Sequence, residues 1–360
     1  MRRISTLFVA LSCALAFASC AEKISPEVGR EAMQEGAATI EILPVDGRIA
    51  TKATGNVNTG ASGNLATAEG NVKSLQIFVF NGDMLDGYAI ATSGTSATIS
   101  GTTSVDCTAG TRDIYCVCNA PSLSSITTKT ALLAATSNLS TNSDANGYVM
   151  VGSLAGQAIA AGSNSKTVPV SLIASKIVLQ GIENNLKAGG VMTVKRVYIT
   201  NVAGTMNYGL TVYPNASGTW YNKGGYRSAN GQNLGNRTQD INLTANVNSG
   251  EKYSTNHYFY AYPNNYDFAE YSATWAPKRT LLVVQIQYQG SLYDYPVDLG
   301  RSLEPGKMYV VTNLKLTNLG NPDDGNEGGA DEENPVTTST GIITVDVQDW
   351  TVVNLGELEY

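Results

Sequence analysis

The chain has 360 residues and a formal charge of −7, from 23 Lys+Arg against 30 Asp+Glu. Charged residues make up only 15% of it, where soluble domains usually carry about 25%; this balance argues against an electrostatic grip on nucleic acid or anionic lipid. A single histidine, His257, rules out a multi-histidine metal cage and confines any Ser-His-Asp or Cys-His site to one imidazole. Glycine (36) is abundant and Tyr (19) outnumbers Phe (6) and Trp (3) together. These proportions suit a secreted β protein with uncharged, hydrogen-bonding surfaces.

The N-terminus reads as an export signal. Arg2 and Arg3 precede an apolar run, residues 4–17, that is too short to span a bilayer. It ends in Phe17-Ala18-Ser19-Cys20, which resembles a bacterial lipobox in which Cys20 is acylated and becomes the new N-terminus. The competing reading is an ordinary signal peptide with a chance cysteine. Residues 21–36 are polar and read as disordered. A strand is expected over 38–45, with Ala38, Ile40 and Ile42 on one face, broken by Asp46-Gly47-Arg48. Residues 49–70 are small and polar.

Period-2 runs between turn residues then dominate. They cover 75–80, ending in Asn81-Gly82, and 114–118, ending in Asn119-Ala120-Pro121. Further runs cover 168–173, 176–179, 191–201, 281–288 and 308–316, with one short helix at 127–136. Strands at this spacing predict β-sandwiches, and the length asks for two, meeting near 172–176. Residues 318–340 are acidic and turn-rich, the pattern of a linker. They lead to an apolar strand at 342–353, where Ile343, Val345 and Val347 share a face before the phase shifts to Trp350 and Val352. Such a strand left loose would aggregate, so it must be buried somewhere.

Other signals carry less. Cys107, Cys116 and Cys118 remain once Cys13 and Cys20 are assigned to the signal. Cys116 and Cys118 sit at i and i+2 and cannot easily bond each other. A Cys107–Cys116 bridge is one reading, and burial of all three as small apolar residues is the favoured one. Zinc lacks a fourth ligand. No P-loop or EF-hand spacing is present, and no spacing singles out a catalytic carboxylate pair. The aromatic-rich segment 253–275 reads either as a glycan-binding face or, preferably, as a strand with a packed loop.

Taken in order, these features resemble the type V pilins, the fimbrillins of Bacteroidia, over nearly the whole chain. The carriers are the lipobox ending at Cys20, the early strand with Arg48 ahead of Ala50-Thr51-Lys52-Ala53-Thr54, and Ile114-Tyr115-Cys116-Val117-Cys118-Asn119-Ala120-Pro121. The strand pair at 168–182, Gly306-Lys307-Met308-Tyr309-Val310-Val311 and the terminal Thr344-Val345-Asp346-Val347-Gln348-Asp349-Trp350 complete them. Two positions depart from the pattern: thiols stand at Cys116 and Cys118, and no arginine lies within 171–176.

The resemblance implies an all-β chain of two tandem Greek-key, transthyretin-like β-sandwich domains plus a C-terminal donor strand. Its segments would be a signal peptide (1–20), a propeptide with a removable first strand (21–48), sandwiches at 49–173 and 174–317, a linker (318–340) and the donor strand (341–360). It implies no enzyme activity and no cofactor. The precursor would be an outer-membrane lipoprotein anchored through Cys20 and cut by an arginine-specific protease between Arg48 and Ile49. The vacated groove would take the donor strand of another copy or a related subunit, through Ile343, Val345, Val347, Trp350 and Val352, to build the shaft of a surface fimbria. The alternatives are a fimbrial tip adhesin and a non-polymerising surface lipoprotein that binds glycans.

Overall fold

The protein is described here by a computed structural model covering residues 36–46, 69–96, 98–99, 101–143, 145–211, 218–223, 233–266, 278–299, 302–322 and 341–349. Side chains are described for all of these but 43–46, 321–322 and 341–349.

Valine, isoleucine and aromatic residues favour a pleated, half-buried surface, and the chain follows that preference closely. The first strands are β1 (Ala37–Asp46), β2 (Ser74–Asn81), β3 (Met84–Thr92), β4 (Thr103–Thr108) and β5 (Gly110–Cys118). A short helix α1 (Lys129–Ala134) follows, capped by the Thr128 hydroxyl, which accepts from the Ala131 N–H at 3.1 Å. Then come β6 (Thr136–Asn138), β7 (Met150–Ile159) and β8 (Gly162–Leu172). Seven of these strands form one sheet in the order β3-β2-β5-β7-β8-β1-β4. Next to its β3 edge lies the strand read most easily from sequence: Leu75, Ile77, Phe78, Val79 and Phe80 of β2 are all fully buried. The β2–β3 turn is two residues long, and Gly82 supplies the positive φ (+61°) that such tight hairpins require.

Residues from 175 onward build two more large sheets and a small two-stranded one. The strands are β9 (Ser175–Leu179), β10 (Ile182–Asn184), β11 (Met192–Thr200), β12 (Val202–Ala203), β13 (Thr205–Asn207) and β14 (Trp220–Tyr221). They continue with β15 (Gln239–Asp240), β16 (Ala245–Val247), β17 (Lys252–Tyr253), β18 (His257–Ala261) and β19 (Leu281–Tyr288). The last are β20 (Ser291–Asp298), β21 (Lys307–Leu316), β22 (Asn321–Pro322) and β23 (Gly341–Asp349). One large sheet runs β17-β10-β21-β9-β18, with β23 on β21; the other runs β15-β11-β19-β20-β22, with β16 on β11; the small one is β12-β14. Ile177, Leu179, Val311 and Leu314 from the first and Val194, Val197, Val284 and Ile286 from the second belong to one buried core, as a sandwich requires.

That core is continuous with the seven-stranded sheet. The β6–β13 ribbon ties residues 136–138 to 205–207, and Tyr262 hydroxyl bonds reach Ser137 (2.6 Å) and Asn142 (3.0 Å). Deeper in the junction Lys176 of β9 is fully buried, its ammonium 2.7 Å from Glu69 and 4.8 Å from the centre of the Tyr258 ring. Glu69 also accepts from the Tyr260 hydroxyl.

Candidate functional site

The sequence marks residues 38–45 as a strand, which the fimbrillin resemblance implies is removable, and the structure gives its surroundings. β1 lies inside a sheet, antiparallel to β4 on one side and parallel to β8 on the other. Its register runs from Ala37 opposite Thr108 to Ile42 opposite Thr103, and from Ala38 opposite Gly162 to Asp46 opposite Val170. Pro44 has no N–H to donate, and the β4 ladder ends two residues before it. Alternation along β1 turns Ala38, Ile40 and Ile42 into the core, where they are 3%, 0% and 0% exposed. Val105 and Cys107 of β4 and Val168, Val170 and Leu172 of β8 are the buried residues on the flanking strands.

Neither neighbour is joined to β1 by a hairpin. β4 and β8 are held to the rest of the chain by their own connections, so β1 fills a slot through two ladders and three apolar side chains. Cys107, opposite Ala38, is part of that slot. Burial, and after it the nearby Asp86 carboxylate, push the Cys107 thiol up to about 11, against a smaller opposite pull from Arg112. Cys107, Cys116 and Cys118 are all free and buried. Burial raises Cys118 to about 12 and lifts Cys116 well above the ordinary thiol range. The Cys107–Cys116 bridge is therefore absent, and the thiols act as small apolar residues.

The C-terminal strand takes a place that its sequence does not announce. β23 lies antiparallel on β21, from Gly341 opposite Leu316 to Asp349 opposite Lys307, with an irregularity between Val311 and Asn313. Ile343, Val345 and Val347 occupy register positions opposite Leu314, Val311 and Tyr309. Sequence reasoning expected a tether reaching away from its own domain; within one chain, the strand returns to the open edge of its own sheet. A tethered apolar strand meets that edge at high effective concentration, and the ladder satisfies both sets of backbone groups. The acidic segment itself begins with order, since Asn321 and Pro322 of β22 pair with Asp294 and Tyr293 of β20.

Cys20, Arg48, Ile49, Trp350 and Val352 lie outside the described residues. Asp46, two residues before Arg48, ends β1. The described part of the aromatic segment is packed: Tyr258, Phe259, Tyr260 and Tyr262 are 0–4% exposed, which removes them from any glycan-binding face. His257 is buried as well and bonds Asp240 at 2.6 Å through Nδ1. Among the described residues no group of His, Cys, Asp or Glu could hold a metal ion. Two charged residues beside the slot escaped sequence reading: Asp86, 10% exposed, and Arg112, 3% exposed, joined at 2.8 Å. Their signals were faint, an Asp-Gly step inside β3 and a Gly-x-Arg opening β5.

The profile of the family described as major fimbrial subunit protein (FimA) matches residues 48–248, more than half of the chain. The chain belongs to the FimA fimbrial subunit family. Solved structures agree on the fold. A fimbrilin (fimA) from Porphyromonas gingivalis is 17% identical, with a TM-score of 0.58 over 89% of this chain and 99% of its own. A candidate cell adhesion protein from Bacteroides eggerthii is 19% identical, with a TM-score of 0.56 over 90% and 98%. The C-terminally truncated tip fimbrial protein Mfa3 from P. gingivalis is 11% identical, with a TM-score of 0.51 over 87% and 100%. No curated protein matches the chain. As a FimA family member the protein is a non-enzymatic subunit of a cell-surface fimbria, and such subunits assemble with one another and with related subunits. The family match begins at residue 48, just past β1.

Proposed function

We propose that this protein is a shaft subunit, joined head to tail by donor-strand exchange after proteolysis of a lipoprotein precursor. In this reading Cys20 carries the lipid anchor at the outer membrane, and an arginine-specific protease cuts between Arg48 and Ile49. Residues 49–173 and 174–317 are the two sandwich domains, 318–340 the linker and 341–360 the donor segment. The observation that carries the reading is β1 itself, a complete strand with its apolar face buried, held between β4 and β8 by two ladders and by side-chain packing, with no hairpin to either neighbour. Arg48, in a sequence rich in small and polar residues, is the first arginine after it. Cutting after Arg30 would leave β1 attached, and cutting after Lys52 would need another specificity.

Physical bookkeeping favours replacement over vacancy. An empty slot exposes two unpaired strand edges and an apolar floor. β1 offers Ala38, Ile40 and Ile42 at period 2; the C-terminal strand offers Ile343, Val345 and Val347 at the same period, with Trp350 and Val352 beyond. Burying about five such side chains contributes roughly 8–15 kcal/mol gross, before ordering costs. The donor must first leave β21, so exchange trades one ladder edge in its own chain for two in the next. A head-to-tail contact of this kind does not close on itself and yields a filament. A tip adhesin needs no donor strand, and a non-polymerising binder needs neither the strand nor the cut.

The test is a truncation after Gly341, alongside Val345→Asp with Val347→Asp, which would place unpaired carboxylates in the slot at several kcal/mol per group. Both proteins are expected to fold, to be cut so that Ile49 is the first residue, and to form no ladder of polymers on a mild-detergent gel. Normal filaments from the truncated chain, or surface filaments whose subunits begin at Cys20, would overturn the proposal.

A further inference from the structure

β4 hydrogen-bonds in the sheet to β1 and, among the described residues, to no other strand. If β1 leaves, β4 keeps no ladder, and a strand without one frays. The slot would lose a wall before any donor arrived. What β4 retains is a polar cluster at its C-terminal end that involves no residue of β1. Thr108 donates its N–H to Asp86 Oδ2 at 2.8 Å, and its hydroxyl lies 2.9 and 3.0 Å from the two Asp86 oxygens. Arg112 donates Nε to Asp86 Oδ2 at 2.8 Å, Nη1 to the Thr111 carbonyl at 2.8 Å and Nη2 to the Ala109 carbonyl at 3.0 Å. Nη2 also donates to the Thr108 hydroxyl. Asp86 belongs to β3, Thr108 to β4 and Arg112 to β5, so one cluster ties three strands.

Irregular backbone delivers these side chains. The β2–β3 register slips between Val79 and Phe80, leaving Asp86 as the extra residue of a bulge. The β5–β7 register slips directly after Arg112. Bulges re-aim side chains that strict alternation would send elsewhere. Two glycines give the room. A Cβ on Gly110, whose φ is +129°, would lie 2.8 Å from Arg112 Nη1, and one on Gly87 would lie 2.3 Å from the Asp106 carbonyl oxygen of β4. Buried ion pairs gain little stability over apolar residues of similar volume, so four donated bonds from one guanidinium point to geometry as the benefit.

We propose that Asp86, Arg112 and Thr108 form a positioning device that holds β4 in place while the slot is empty, keeping the groove open between loss of β1 and arrival of the next subunit's strand. This rests on the donor-strand reading above.

Two variants test it in the full-length precursor, each before and after cutting at Arg48. Thr108→Val removes the hydroxyl bonds and spares the ion pair. Asp86→Leu with Arg112→Met removes both charges and orphans neither. Amide exchange over residues 103–107, which leaves out the Thr108 amide that itself bonds Asp86, and the rate of capture of a synthetic peptide of residues 341–353 are the readouts. Uncut variants should exchange like the uncut wild type, because β1 still pairs β4. After the cut, exchange over 103–107 should be about tenfold faster than in cut wild type for Thr108→Val and faster still for the double variant, with peptide capture slowed in step. Equal exchange and capture in cut variant and cut wild type would overturn the proposal, as would equal loss of protection before and after the cut, which is the mark of general stabilisation. Should cut wild type capture no peptide, the donor-strand reading fails instead, and exchange over β4 alone decides the clamp.

Discussion

At the scale of single residues, the Glu69–Lys176 pair shows what a fully buried charge does for this fold. Lys176 has no exposed surface, and Glu69 is the first described residue after the segment that separates it from β1. Lys176 stands at the start of β9, so the pair fastens the chain entering β2 to the sheet that carries the C-terminal strand. Removing one member leaves the other buried without that counter-charge, which typically costs about 3–5 kcal/mol, whereas replacing both by apolar residues is often neutral. Glu69→Ala should therefore lower the unfolding free energy of the precursor, measured by urea denaturation, by an amount of that size, and Glu69→Leu with Lys176→Met should recover most of it. A single variant as stable as wild type would show that water or relaxation relieves the site. Nothing in the sequence foretold the pair, because Glu69 lies in a polar stretch and Lys176 within an otherwise apolar strand.

At the scale of elements, legibility followed alternation. β2, β9, β19 and β21 were readable because their Val, Ile, Leu and aromatic residues run between turn residues, and β1 because Ala38, Ile40 and Ile42 alternate. β3, β4 and β7 were not, since Gly87, Asp86, Ser104, Gly152 and Gly156 interrupt the pattern with residues that serve close approach, bulges or the outer face. The slot was thus half visible: its occupant stood out, while its β4 wall did not. Nor could alternation show where the C-terminal strand pairs, because register is a long-range property. If β1 is a plug held by burial, weakening it should do what the protease does. Ile40→Asp would place a carboxylate at a position with no exposed surface, at a cost of several kcal/mol. The uncut Ile40→Asp precursor should capture the 341–353 peptide, which uncut wild type should refuse. Refusal by both, with the variant folded, would mean that β1 does not guard the slot.

At the scale of the whole molecule, one thiol can test the proposed course from uncut precursor through cut monomer to filament. A recombinant precursor beginning at Ala21 omits Cys13 and Cys20 and retains only Cys107, Cys116 and Cys118. Cys116 and Cys118 are fully buried in β5, away from β1, and should stay silent throughout. Cys107 is buried beside β1, opposite Ala38 in the ladder, and burial pushes its thiol up to about 11. Only the thiolate attacks an alkylating reagent, and at pH 8, below the ordinary thiol value of about 8.5 and below the raised one, the thiolate fraction falls about tenfold for each unit of rise. In the precursor Cys107 should therefore react slowly for two reasons, low access and low ionisation. Cutting at Arg48 and losing β1 admits water, which removes the larger cause of the raised value while Asp86 remains nearby. Its rate should then rise about ten- to a hundredfold. When the next subunit's strand enters the slot, Cys107 is covered again and the rate should return towards that of the precursor. Mass spectrometry of alkylated precursor, cut monomer and filament measures the sequence slow, fast, slow. A filament whose Cys107 reacts as fast as that of the cut monomer would mean that the slot stays empty on assembly, and that the subunits are joined somewhere else.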